Sequence, residues 1–138
     1  MFDLQFSQSM IAHLTKTTAN TVSRMIAAHN IQPLLNEVSH NKRYDIDQTR
    51  KIAHLLYVKN QRPIRQKINV FYNFKGGTGK TSLCYQVATH LSLLGFKVLV
   101  LDLDPQAHLS AVMRIPEDWS GPTIYDVLIN GVPFPEAC

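Results

Sequence analysis

Residues 75–81 read Lys75-Gly76-Gly77-Thr78-Gly79-Lys80-Thr81, and this stretch decides the reading of the chain. Three glycines in four positions let the backbone turn tightly, so that successive N–H groups converge on one point. A helix beginning near Lys80 adds its positive end to that point, which suits an anion. Lys80 is placed to neutralise β- and γ-phosphates, and the Thr81 hydroxyl to complete a Mg²⁺ shell. The strict G-x-x-x-x-G-K-[ST] pattern fails at its first position, where Phe74 stands. The context agrees with a phosphate loop all the same. Ile68 to Phe74 is rich in Val, Ile and aromatic residues and predicts a strand, and Thr81 to Leu94 predicts a helix ended by Gly95. A glycine-rich turn that binds nothing fits this context poorly.

Downstream, Lys97 to Leu103 is a second apolar run, suited to the buried middle of a parallel sheet. Strand, helix and strand of these lengths predict a right-handed crossover unit. Its second strand ends in Leu101-Asp102-Leu103-Asp104-Pro105-Gln106. Carboxylates at the carboxyl end of a parallel strand face the ligand crevice.

These residues carry a resemblance. Lys-Gly-Gly-x-Gly-Lys-Thr is similar to the deviant Walker A motif of the ParA/MinD group of ATPases, with Lys75 matching the signature lysine. The Leu101–Gln106 segment resembles the group's second motif, and Thr123-Ile124-Tyr125-Asp126-Val127-Leu128 with Gly131-Val132-Pro133 resembles the ParA segment after it. The resemblance covers about residues 67–138 and favours ParA over MinD. It implies ATP and Mg²⁺ as cofactors and a homodimer closed around ATP, with Lys75 reaching the partner's phosphates. Nucleotide contacts then fall on Gly76, Gly77, Thr78, Gly79, Lys80, Thr81 and Ser82. Lys75 and Asp104 become the catalytic pair, Asp104 orienting the attacking water, and Thr81 and Asp102 serve the metal, Asp102 through water. A centromere-binding partner of ParB type triggers hydrolysis in that group. Two departures stand out: Thr78 replaces the more usual Val, and Cys138 arrives before any strand bearing the Walker B aspartate. A fragment or a truncated gene product is therefore expected, with an incomplete, apolar-edged sheet.

The amino-terminal part differs in character. Residues 1–66 hold nine Lys/Arg against four acids, whereas 67–138 hold five against six. A basic unit ahead of a near-neutral one suggests a nucleic-acid contact in the first half, although a solvated helical face has the same signature. Phe6, Met10, Ile11 and Leu14 fall at helical spacing behind a cap at Ser7 or Ser9. A turn over Thr15–Thr18 follows, then a helix with Val22, Met25 and Ile26 on its inner face. That is helix-turn-helix spacing. Asn20, Thr21 and Arg24 face outward as DNA contacts. Lys16 stands at the turn position where Gly is common, and a left-handed Lys there costs about 1 kcal/mol. His29 to Lys42 reads as loop or short hairpin, and Asp45 with Gln48 predicts a capping box on a third helix with Ile46, Ile52, Leu55 and Leu56 inward. Asn41-Lys42-Arg43-Tyr44-Asp45 resembles the wing of MerR-type domains, with Arg43 as its contact. A helical cap or dimerisation domain is the competing reading.

The fold expected is therefore α/β: a small winged helix-turn-helix over 1–62, a linker over 63–67, and the first part of a P-loop parallel-sheet domain over 68–138. The 138 residues contain no apolar run of the about 18 that a spanning helix needs, and Met1–Met10 lacks the pattern of a secretory signal. Two cysteines are too few for a disulfide framework or a four-ligand zinc site. A cytoplasmic, nucleoid-associated protein without membrane contact is expected. His108 reads as an exposed loop residue, Cys84 as core and Trp119 as loop cover. The function expected is ATP-dependent DNA binding in plasmid or chromosome partition. The alternative is a non-enzymatic DNA-binding regulator with a vestigial nucleotide loop.

Overall fold

The computed structural model describes residues 4–34, 42–59, 66–116 and 118–137. In chain order the elements are β1 (Phe6–Ser7), α1 (Gln8–Leu14), α2 (Ala19–Ala28), β2 (Arg43–Tyr44), α3 (Ile46–Lys59), α4 (Lys80–Leu93), α5 (His108–Val112), α6 (Ile124–Ile129) and a 3₁₀ turn over Phe134–Ala137. They divide into two units, Met1–Ile68 with Thr89–Val98, and Asn69–Ala88 with Leu99–Cys138.

In the first unit, hydrogen-bonding side chains start the helices and left-handed residues end two of them. Ser7 accepts the Met10 amide and Thr18 accepts the Thr21 amide, at 3.2 and 3.3 Å. At α3 the Asp45–Gln48 box closes as expected: the Gln48 amide meets Asp45 Oδ1 at 2.7 Å, and the Asp45 amide meets Gln48 Oε1 at 3.0 Å. Lys16 is left-handed, with φ of 53°, and α1 ends in a Schellman turn, Lys16 N–H to His13 O and Thr17 N–H to Ala12 O. Asn30, with φ of 50°, closes α2 in the same way.

Ile11, Ala12, Val22, Met25, Ile26, Ile31, Tyr44, Ile52 and Leu56 form the buried cluster, with Phe6 and Leu55 packed against it. The inner face of α2 is as expected. Two details differ elsewhere. Phe6 lies in β1 and Met10 is exposed, because α1 starts only at Gln8 and turns its Ile11–Ala12 side inward. On α3, Thr49 and Ala53 occupy the buried stripe while Ile46, in the first turn, is half-buried. β1 and β2 pair antiparallel, Phe6 with Tyr44 and Ser7 with Arg43, and Leu34 bridges to Arg43. The part of the expected hairpin over 35–41, Asn41 of the expected wing, and residues 63–65 of the expected linker lie outside the described residues.

The parallel strands expected over 68–74 and 97–103 are a correction: among the described residues, pairing is confined to β1 with β2 and the Leu34–Arg43 bridge. A parallel pair holds only when helices cover both its faces. Here Ile68, Val70, Tyr72 and Phe74 are 90, 80, 71 and 94% exposed. Leu99, Leu101 and Leu103 are exposed as well. The helix between the two runs does form, one residue earlier than expected, and Gly95 ends it with φ of 84°.

Gly95 is there for two reasons. Its left-handed backbone closes a Schellman turn, Gly95 N–H to Ser92 O at 2.9 Å and Phe96 N–H to Leu91 O at 3.1 Å. A Cβ would also lie 2.7 Å from both Arg50 O and His54 Cβ on α3. Gly95→Ala should therefore lower the unfolding free energy by about 3 kcal/mol. Lys16→Gly should raise it by about 0.5 kcal/mol, strain relief outweighing backbone entropy. Urea denaturation of both variants checks the opposite signs.

Candidate nucleotide site

The loop before α4 is built on glycine conformations. Gly77 and Gly79 have φ of 70° and 80°, and a Cβ at Gly76, Gly77 or Gly79 meets nothing within 4 Å. These glycines are therefore required by backbone conformation rather than by crowding. The Lys75 carbonyl gathers the loop, accepting Thr78 Oγ1 at 3.3 Å and Lys80 Nζ at 3.2 Å. On its other side, the Lys75 amide donates to Asn73 Oδ1 at 3.0 Å.

The ladder of α4 begins with Leu83 N–H to Gly79 O at 2.8 Å, so the amides of Lys80, Thr81 and Ser82 fall before it. The first turn of α4 holds no acidic residue to compete for them. Lys80, half-buried Thr81 and exposed Ser82 therefore stand together at a positive helix end with an ammonium group. That donor set suits a chain of phosphates, and its Thr81 hydroxyl is an oxygen suited to a Mg²⁺ ion.

Asp102 is held in place. Its Oδ2 accepts both the amide and the hydroxyl of Ser110 at 2.8 Å, and its Oδ1 accepts the Asp104 amide at 3.2 Å. Burial pushes the Cys84 thiol above its ordinary range, and the Asp102 charge adds to that rise. Cys84 lies one turn beyond Lys80 on α4. Asp104 is placed differently. It is exposed, its Oδ1 taking the Gln106 amide at 3.0 Å and its carbonyl taking the Ala107 amide at 2.9 Å. The loop runs into the first turn of α4, Asp102 is anchored through Ser110 on α5, and Asp104 lies exposed on its own turn.

The four DNA-contact candidates sit in the first unit. Asn20 and Arg24 are exposed on α2, four residues apart and so on one face. Thr21 is half-buried, and its hydroxyl shares a 2.9 Å hydrogen bond with Thr18. Arg43 is half-buried on β2, between Ser7 and Leu34. His108 is exposed at the start of α5, and Trp119 Nε1 donates to Pro122 O at 3.4 Å over its own loop.

Two residues escaped sequence reasoning. Ser110 holds Asp102, and nothing in their spacing announces it, because the short helix α5 makes the contact. Asn73 had a signal: an Asn just ahead of a glycine turn is suited to accepting the backbone amide two residues on, here that of Lys75.

Residues 66–138 match an AAA domain. The chain belongs to the AAA-domain family. Its AAA domain is similar to the cell division protein PomZ of Myxococcus xanthus, 44% identical over 65 residues that make up 47% of this chain and 20% of PomZ. It is also similar to the chromosome-partitioning ATPase Soj of Treponema pallidum, 40% identical over 62 residues, 45% of this chain and 23% of Soj. A third likeness extends beyond the AAA domain: "Putative replication protein A" of Sinorhizobium fredii is 32% identical across 90% of this chain and 33% of its own length. The chain thus spans between a fifth and a third of the length of these relatives. No solved structure matches it significantly.

The placement of Asp102 in the AAA domain can be read through Cys84. Asp102→Asn should lower the Cys84 pKa and speed its alkylation by iodoacetamide near pH 8, followed at the Cys84 peptide by mass spectrometry. An unchanged rate would put Asp102 away from α4.

Proposed function

We propose that the chain is the nucleotide-binding and DNA-binding part of a ParA-type partition ATPase. The observation that carries this reading is the glycine loop, turned at Gly77 and Gly79, that delivers Lys80 and Thr81 to the start of α4, and Asp102 anchored through Ser110 adds to it. Lys80 and the amides of Gly76 to Ser82 hold the phosphates, and Thr81 with Asp102 serves Mg²⁺, Asp102 through water. Bound MgATP supplies a γ-phosphate open to attack by water, with the metal offsetting charge on its oxygens. Asp104 orients that water, and Lys75 extends to the phosphates held by a second copy in a homodimer.

Asn20, Thr21, Arg24 and Arg43 make the DNA contacts of a winged helix-turn-helix over residues 1–62. Support comes from the exposed Asn20–Arg24 face of α2, from β2 with its Leu34 bridge ahead of α3, and from the basic balance of residues 1–66. It also comes from the likeness to a replication protein across 90% of the chain. Residues 63–67 link this domain to the ATPase part over 68–138. A ParB-type partner that triggers hydrolysis, and a cytoplasmic, nucleoid-associated location, complete the proposal. Among the described residues no helix is long and apolar enough to cross a membrane.

Lys80→Ala should weaken binding of a fluorescent ATP analogue with Mg²⁺ by about 100-fold, the loss of a charge-assisted phosphate contact. Asp104→Ala should keep the nucleotide and lower turnover by about 100-fold or more, measured with DNA and partner present. Unchanged turnover would remove Asp104 from its role. On labelled duplex, Arg24→Gln should reduce the slope of log affinity against log salt by about 0.9.

A further inference from the structure

We infer that the open cleft between α3 and the carboxyl end of α4 is a phosphate-binding site, and that it takes the phosphodiester backbone of duplex DNA. It extends the DNA reading of the amino-terminal part and rests on it, adding residues that sequence spacing did not single out. The cleft lies within the first unit and has a volume of about 560 Å³. Arg50, Lys51 and His54 line it from α3, and Ser92, Phe96 and Lys97 from the end of α4 and beyond.

Among the described residues, three permanent cations line the cleft and no carboxylate does. A nearby acid, Asp47, meets Arg50 Nη1 at 3.4 Å from an exposed position. The Arg50 fork is oriented by donating Nη2 to Ser92 Oγ at 2.7 Å. Arg50 Nε and His54 Nδ1 are buried without a hydrogen-bond partner among the described residues. What the cleft offers a phosphate is the Arg50 guanidinium, fixed through Ser92, together with the Lys51 and Lys97 ammonium groups, and Arg with Lys is the pairing that recognises phosphate.

A helix carboxyl end ordinarily repels anions. Here the Leu91 and Ser92 carbonyls are taken by the Phe96 and Gly95 amides, so side-chain donors dominate the cleft. Its walls are fixed by the close approach of Gly95 to Arg50 and His54, and by Phe96 stacked edge-on to Tyr57 at 4.9 Å. Small-molecule sites enclose most of their ligand. An open, cationic cleft in a basic unit fits a backbone that passes along the surface instead.

The test uses the whole chain and the Lys51→Gln/Lys97→Gln variant, both residues being exposed. Anisotropy of a labelled duplex of arbitrary sequence is followed across salt concentrations. Two lost phosphate contacts should reduce the slope of log affinity against log salt by about 1.8. If Arg24→Gln lowers the slope while the double variant leaves it unchanged, the DNA reading stands and the cleft assignment falls. If the unsubstituted chain binds no duplex, both fall. Inorganic pyrophosphate, titrated against the His54 ring resonances, separates the sources. A saturable shift lost in the double variant, with an unchanged duplex slope, would assign the cleft to free phosphates and overturn the DNA assignment.

Discussion

The reversal of the backbone at Gly77 and Gly79 is the constraint on which the candidate site depends. Two left-handed positions within three residues let the chain pass from the run ending at Phe74 into α4, and an L side chain at either would be strained. Because the turn is that tight, the helix opens at Lys80. Its unladdered amides, the Lys80 ammonium and the Thr81 hydroxyl then share one place. The Lys75 carbonyl, held by Thr78 and Lys80, keeps the loop closed on itself. Asp102 is fixed by other means, through Ser110 on the short helix α5.

The first unit is organised by its helix ends as much as by its core. Caps at Ser7, Thr18 and Asp45 start three helices, and left-handed residues at Lys16 and Asn30 end two of them. Lys16 and Asn30 carry side chains where glycine would be less strained, so the core beneath must hold these turns. Tyr44 is fully buried there, yet its hydroxyl reaches Gln8 at 3.2 Å. Thr49 is fully buried too, and its hydroxyl finds no partner among the described residues.

Local chemistry was legible in the sequence wherever a short-range rule governs it. The Asp45–Gln48 box, the left-handed Lys16, the inner face of α2 and the Gly95 stop all follow from contacts within a few residues. The loop and its helix were legible for the same reason. Long-range contacts were not. Nothing in the spacing brings Ser110 to Asp102, Arg50 to Ser92, or β1 to β2. The expected parallel strands fail differently: the apolar pattern of 68–74 and 97–103 records a preference for burial, and preference alone does not provide the neighbours that a parallel strand requires. Met10 shows the same gap at small scale, since a helix that starts two residues later than its apolar spacing suggests turns that side chain outward.

The central claim is that the glycine loop and the start of α4 hold the phosphates of a nucleotide. Amide NMR of the whole chain during titration with MgADP and a slowly hydrolysed MgATP analogue tests it most directly. Saturable shifts should concentrate at Gly76, Gly77, Gly79, Lys80 and Thr81, with the α2 amides unmoved. Shifts absent from the loop, or spread evenly along the chain, would contradict it.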